Sequence, residues 1–284
     1  MFTPESGLQD RMPQLFCFGL GYSAEALARL LLAQGWTVAG STRDAARRAR
    51  IAALGIAIAD APPAGTTHLL SSVPPDAEGD PVLRVHAETI TRLQPAWIGY
   101  LSTTGVYGDH GGDWIDEATP PTPGEPRSQR RLAAERAWQA LAPPAHIFRL
   151  AGIYGPGRSA IDQLRAGTAK RVVKPGHLFS RIHVDDIAQV LAASIARPNA
   201  GAIYNLCDDE PEQSDVVVAY AAELLGIAAP PAVPYEQAEL TPMARSFYAE
   251  RRRVRNDRIK RELGVSLRYP TYREGLRAIR DATG

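Results

Sequence analysis

The sequence predicts an α/β fold, a doubly wound parallel sheet with a smaller C-terminal lobe interleaved with it, and three observations carry that prediction. From residue 14 onward, short apolar runs alternate with longer amphipathic stretches. The short runs are apolar throughout rather than at every second residue, which is the pattern of strands covered by helices on both faces. Beyond about residue 155 the alternation loosens into Gly- and Pro-rich turns. With 284 residues the chain is long enough to bury a sizeable core.

Taken in order, QLFCF (14–18) reads as the first strand, and AEALARLLLAQG (24–35) as a helix closed by Gly35. WTVAG (36–40) is the second strand and DAARRARIAALG (44–55) the second helix. THLLSS (67–72) is a strand, DPVLRVHAETITRL (80–93) a helix and AWIGYLS (96–102) a strand. QRRLAAERAWQAL (129–141) is a helix and HIFRL (146–150) a strand. In the looser half, DDIAQVLAASIA (185–196) and DVVVAYAAELLG (215–226) read as helices and AIYNLC (202–207) as a strand. AAPPAVP (228–234) reads as a Pro-rich link. No internal repeat or low-complexity segment occurs.

Composition narrows the function classes. With 45% hydrophobic and 22% charged residues and a formal charge of +1, nothing points to nucleic acid or to an anionic membrane. Cys17 and Cys207 lie far apart without metal-ligand or CxxC spacing, so neither a disulfide framework nor a metal site is expected, and a cytoplasmic location fits. The N-terminus lacks a basic start followed by an apolar core, and no run of about 18 apolar residues occurs, so neither a signal peptide nor a membrane span is expected. The expected partner is a small-molecule substrate; the oligomeric state stays open, a homodimer included. Only three of the 32 basic residues are lysine, a bias that bears on the active site below.

The first strand runs directly into GLGYSA (19–24), with Gly19, Gly21 and Ala24 in the places of a GxGxxG/A fingerprint. Gly19 permits a tight turn, Gly21 lets backbone approach a pyrophosphate, and Ala24 allows close packing of helix on strand. The loop Gly19, Leu20, Gly21, Tyr22 and Ser23 is therefore expected to cradle a dinucleotide on a Rossmann-like sheet. At the end of the second strand, where an acid would bind a ribose 2′-hydroxyl and repel a 2′-phosphate, stand Ser41, Thr42 and Arg43. They favour NADP, with NAD possible; the alternative is that Arg43 is one more solvated arginine and Asp44 reaches the ribose. The expected division is a cofactor domain over 12–155, to which 181–206 return, and a substrate lobe made of 156–180 and 207–284.

Further motifs extend the pattern. YLSTTGVYGD (100–109), DEATPPTP (116–123), IFRLAGIYGPGR (147–158), RIHVDDIAQVLAASI (181–195) and AIYNLCDDEP (202–211) resemble, in order and spacing, the extended short-chain dehydrogenase/reductases, the NAD(P)-dependent epimerase/dehydratase group. The closing RRVRNDRIKRELGVSLRYPTYREGL (252–276) is similar too. The resemblance implies that Thr103 binds a substrate oxygen. It also implies that Ser71, Ser72 and Val73 line the nicotinamide ribose and adenine side, and that Leu150, Ala151 and Gly152 face the nicotinamide. In the His183, Asp185 and Asp186 motif it implies a structural role, the acids capping the following helix, the alternative being a catalytic role for His183.

The departure lies in the catalytic tetrad. The family's Tyr-x-x-x-Lys falls on the helix carrying Glu135, where counting back in fours gives Arg131 and Arg127. No shift rescues it, because Ala166, Lys170 and Asn256 stand four residues before the three lysines. Arg131 for lysine keeps a cation and matches the compositional bias. Arg127 for tyrosine does not: a guanidinium stays protonated, so it can clamp an anion or polarise a carbonyl but cannot cycle a proton. The pattern resembles the atypical members of the family. Tyr107, Tyr154, Asp109 and Glu117 are the substitute proton carriers to consider, the two tyrosines reading first as packing residues. The expected activity is oxidoreductase or epimerase-like chemistry on a small carbonyl or sugar substrate without the Tyr-Lys relay. The alternative is a non-catalytic NADP(H)-binding regulator. A nucleotide-sugar epimerase is a third reading, requiring a phosphate cleft around Arg251 to Arg255 in a stretch (243–256) that holds five arginines, unless those form a solvated helix face.

Overall fold

The computed structural model describes residues 12–283, so most of the N-terminal segment read above for a leader lies outside the described residues. The first half runs β1 (Gln14–Phe18), α1 (Tyr22–Ala33), β2 (Thr37–Gly40), α2 (Ala45–Ala53), β3 (Ala57–Ile58), β4 (His68–Ser71), α3 (Pro81–Leu93), β5 (Trp97–Thr103), β6 (Trp114–Ile115), α4 (Pro126–Gln139) and β7 (His146–Leu150). The second runs β8 (Gly152–Tyr154), α5 (Ala160–Arg165), β9 (Arg171–Val173), β10 (Arg181–His183), α6 (Val184–Ala196), β11 (Ile203–Leu206), α7 (Ser214–Leu224), β12 (Ala232–Pro234), α8 (Pro242–Phe247), β13 (Arg253–Val254), α9 (Asp257–Leu263) and α10 (Tyr272–Thr283).

Seven strands make one parallel sheet in the order β11-β7-β5-β4-β1-β2-β3. The wholly apolar strands have a direct cause in this layering. Leu15 and Cys17 of β1 enter the core beneath α1 and α6, with Leu27, Leu31 and Leu191. Phe16 and Phe18 enter the opposite core beneath α3 and α4, with Ile90 and Trp138. Each buried Leu or Phe stabilises the fold by roughly 1.5–3 kcal/mol, so both faces of such a strand favour apolar residues. The order of strands reverses beside β1, which leaves a crevice at its C-terminal end.

The second half holds elements that the pattern does not announce. Three short parallel pairs, β10 with β8, β12 with β9 and β13 with β6, stand outside the main sheet. Runs of two or three residues are too short to show periodicity, and β12 lies inside the stretch read as a Pro-rich link. By contrast α6 packs against α1, and β11 extends the main sheet beside β7.

A buried ion pair fixes the end of this sheet. Glu135 of α4, 1% exposed, takes a forked contact from Arg149 of β7, with Nη2 to Oε2 at 2.7 Å and Nε to Oε1 at 3.1 Å. The Ser102 hydroxyl of β5 donates to the same carboxylate at 2.5 Å. Burial works against the charge on Arg149, and the bonds it donates to the Glu135 carboxylate outweigh it and raise its pKa. Arg149 also lies 4.7 Å over the Tyr107 ring, and the Tyr107 hydroxyl donates to Asn205 at 2.8 Å.

The RIHVDD stretch is structural, but not in the way expected. The acids do not cap α6; His183 does, its Nδ1 accepting from the Asp185 N–H at 3.2 Å. Burial lowers the His183 pKa to about 4, against the pull of Asp185, so the ring is neutral and can accept. Asp186 is free to take the backbone N–H groups of Arg268 at 2.6 Å and Tyr269 at 3.1 Å, fastening the segment before α10 to α6.

Two outcomes are expected. Glu135→Ala strands a buried guanidinium and should cost about 3–5 kcal/mol in urea unfolding, whereas Glu135→Leu combined with Arg149→Met should cost far less; equal losses for the two would show that packing, not charge, governs the site. His183 has a depressed folded pKa, so its stabilisation is complete above pH ~6.5 and is lost as pH falls toward 4, on the order of 2–3 kcal/mol. Asp186, pushed up to about 6 by burial, works in the opposite sense. Comparison of the wild type with His183→Asn isolates the histidine, and parallel stability curves between pH 6.5 and 4 would refute its titration.

Candidate functional site

The glycine loop is built by hydrogen bonds from two neighbouring strands. Gly19 has φ +79°, and a Cβ there would meet Ser72 Oγ and Val73 Cγ2 at 3.0 Å. Its N–H donates to Ser41 Oγ at 3.1 Å, and its carbonyl accepts from Ser72 Oγ at 2.5 Å. The Leu20 N–H donates to the Ser41 carbonyl at 2.7 Å. Ser41 and Ser72 thus spend their hydroxyls holding the loop. Gly21 differs: its φ is an ordinary −83°, and a Cβ there would meet nothing nearer than Ser72 Oγ at 3.8 Å and Arg47 Nη1 at 4.0 Å. The space above Gly21 is therefore open. No side chain caps α1, so the first-turn N–H groups around Tyr22 and Ser23 are left for an anion, and the residues present fit a pyrophosphate.

Ser71 is a correction. It is 1% exposed, its hydroxyl has no partner among the described residues, and strand alternation places it on the side of core residue Leu69. It does not reach the loop surface. At the end of β2, Thr42 is half-buried and Arg43 exposed. Asp44 caps α2 by accepting from the Arg47 N–H at 3.1 Å, which occupies one of its oxygens. The Arg47 guanidinium donates to the Leu20 carbonyl at 3.2 Å and so brings a second cation to the loop. Nothing in the linear pattern distinguishes Arg47 from its neighbours; only the return of α2 across the loop does.

At the C-terminal ends of β5 and β7 opens a cavity of about 740 Å³, and Thr103, Arg127, Arg131, Ala151 and Gly152 all line it. Thr103 Oγ1 accepts from the Gly105 N–H at 3.1 Å, which leaves its proton free to be donated. Ser128, unremarked in the sequence, stands beside it: a Cβ on Gly105 would meet Ser128 Oγ at 3.1 Å and Thr103 Oγ1 at 3.3 Å. Arg131 spends Nη1 on the Tyr100 hydroxyl at 3.0 Å and the Leu101 carbonyl at 3.1 Å, so it clasps α4 to β5 as well as lining the cavity. The Arg127 guanidinium lies 4.6 Å over the ring of Phe247 on α8. Tyr22 joins the two regions: its hydroxyl donates to the Pro156 carbonyl at 3.0 Å, and Arg158 of the cavity lies 5.9 Å over its ring.

Of the four substitute proton carriers, three lie away from the cavity lining. Tyr107 is fully buried against Asn205; Glu117 accepts from the Asn205 N–H at 2.7 Å; Asp109 accepts from the Arg251 N–H at 2.7 Å. Tyr154 lines the cavity, but its hydroxyl abuts Gly275 of α10 and burial raises its pKa far above the usual phenol value. The one carboxylate in the lining is Glu250, whose Oε2 accepts from Arg252 at 2.6 Å and whose Oε1 has no partner among the described residues.

The arginine run does not lie along one helix: Arg245 is on α8 and Arg253 on β13, with Arg245, Arg251 and Arg255 exposed. Arg252 donates to the Gly108 carbonyl at 2.8 Å, and Arg253 to the Gly112 carbonyl at 2.7 Å. Arg253 and Arg255 lie 5.0 and 5.1 Å over Trp114. Arg245 donates to the Ala238 carbonyl at 3.3 Å. The run fastens residues 250–255 to the 108–115 loop, and only Arg252 of the five lines the cavity.

Comparison with known proteins agrees with this architecture. The model of the NAD dependent epimerase/dehydratase family matches residues 83–207. A conserved protein of unknown function from Silicibacter pomeroyi is 53% identical, with a TM-score of 0.90 over 95% of this chain and 99% of that one. Protein YeeZ of Escherichia coli (strain K12) is 27% identical over 242 residues, 77% of this chain and 86% of that protein. The human epimerase family protein SDR39U1, solved with NADPH, is 18% identical and shares the fold, with a TM-score of 0.75 over 95% of this chain and 99% of that one. Among the described residues no helix is long and apolar enough to cross a membrane, and no group of three or more His, Cys, Asp or Glu could hold a metal ion.

Proposed function

From the premise that this chain belongs to the NAD dependent epimerase/dehydratase family, we propose that it binds NADP(H) and carries out oxidoreductase or epimerase-like chemistry on a small carbonyl or sugar substrate without a Tyr-Lys relay. The observation that carries this reading is that the three tetrad positions, Thr103, Arg127 and Arg131, line one cavity together with Ala151 and Gly152. A bound nicotinamide would supply or accept the hydride. The Thr103 hydroxyl donates a hydrogen bond to the substrate oxygen, and Arg127 offers a fixed positive charge to that oxygen or to an anionic group of the substrate. Arg131 holds α4 against β5 so that both stay in place. Arg43 follows the end of β2, where a 2′-phosphate would lie, Arg47 reaches the neighbouring glycine loop, and Asp44 is engaged in capping α2.

The second reading, a non-catalytic NADP(H)-binding regulator in a cytoplasmic setting, is favoured by one observation: a guanidinium stands where the proton carrier belongs. Transfer of label distinguishes the two. Incubation with C4-deuterated NADPH and a metabolite extract should place deuterium in a small-molecule product. Intact NADPH binding with no transferred label would support the regulator instead.

Two binding outcomes test the cofactor assignment. Gly21→Val meets open space in the free protein, so its thermal midpoint should change little while calorimetric NADPH binding is abolished; a folded variant with unchanged affinity would sink the loop assignment. NADPH should bind tenfold to a hundredfold more tightly than NADH, with most of that preference lost in Arg43→Ala or Arg47→Ala. A preference for NADH that survives both changes would overturn it.

A further inference from the structure

We infer that the cavity takes an organic monoanion, a carboxylate carried on a flat apolar body, with Arg127 holding the carboxylate and Phe247 covering the guanidinium. The inference rests on the proposed function for the position of the cofactor and names the substrate class of the same site. Five arginines line the cavity against one carboxylate, so an anion is favoured electrostatically. Most of that charge is already committed. Arg131 donates to Tyr100 and Leu101, Arg252 to Gly108 and Glu250, and Arg181 to the carbonyls of Phe179 and Glu212, both at 2.8 Å. Arg158 lies over Tyr22, next to the glycine loop, and so belongs to the cofactor end.

Arg127 alone remains on the substrate side, with no hydrogen bond or ion pair among the described residues and only its stack on Phe247. Stacking occupies the face of a guanidinium and leaves its N–H edge open, and that edge matches a carboxylate with two parallel bonds. One available cation suits one negative charge; a nucleoside diphosphate brings at least two. Leu178, Val217, Val218 and Leu276 give the lining an apolar part, and Phe247 itself is 53% exposed. A hydrocarbon body on the ligand would cover those four side chains, and their burial would favour it over a wholly polar ligand.

Calorimetry on the NADP⁺-loaded protein tests this with four probes: trans-cinnamate, its neutral amide cinnamamide, acetate, and UDP-glucose. Cinnamate should bind tenfold to a hundredfold more tightly than cinnamamide and at least tenfold more tightly than acetate. Arg127→Gln should erase the preference over cinnamamide, Arg127→Lys should restore part of it, and Phe247→Ala, at an exposed side chain, should weaken cinnamate about threefold or more. Equal binding of cinnamate and cinnamamide, tighter binding of UDP-glucose, or an undiminished preference in Arg127→Gln overturns the inference. A first titration with NADP⁺ keeps the two readings apart. If NADP⁺ does not bind, the cofactor assignment fails by itself, and the comparison of cinnamate with cinnamamide on the unloaded protein still decides the carboxylate site.

Discussion

Glu135 and Arg149 meet inside the protein at 2.7 Å, and the geometry of the cavity follows from where that pair sits. Glu135 is one helical turn beyond Arg131 and two beyond Arg127, while Arg149 and Ser102 immediately precede Leu150 and Thr103. A single carboxylate therefore ties α4 to the ends of β5 and β7 at the level where every tetrad position emerges. Two buried charges are costly to desolvate, so such a pair is retained only with close geometry and with its remaining lone pairs occupied. The Ser102 hydroxyl and the stack of Arg149 on Tyr107 meet that requirement.

Charge allocation is the second theme of the structure. The protein is rich in arginine, and most of the arginines lining the cavity do mechanical work: Arg131, Arg181 and Arg252 donate to backbone carbonyl oxygens of neighbouring segments. A guanidinium with five donors is well suited to that task. The same abundance makes arginine at positions 127 and 131 ambiguous in sequence. In the structure the two separate, since Arg131 is held by β5 whereas Arg127 meets only an aromatic ring.

The consequence for chemistry is a division between binding and proton transfer. A tyrosine of the usual kind works with a neighbouring cation that lowers its pKa; here the tyrosines around the cavity are pushed the other way by burial, Tyr272 to about 12 and Tyr154 further. The cavity has the Thr103 hydroxyl as a donor, five arginines in its lining and Glu250 as its one carboxylate. Stabilisation of charge by fixed donors in a site with little water does not itself require a titrating side chain.

The parallel sheet and the glycine loop were legible in the chain alone. Each rests on a short-range rule, an apolar strand covered on both faces and glycine at a positive φ after β1, whereas the places of the tetrad came from the family resemblance. Other assignments had to wait for tertiary structure because they depend on which segments return to touch each other. Ser71 and Ser72 are adjacent in sequence, yet strand alternation buries one and sets the other on Gly19. Asp186 lies beside a helix start, but its partners are the N–H groups of residues 82 and 83 positions later, so His183 does the capping instead. Arg47, Phe247 and Glu250 carry no local signal at all. They lie beside the loop and the cavity only because α2 folds back over the loop and residues 244–254 return to the ends of β5 and β7, and a long-range return of this kind leaves no periodicity in the chain.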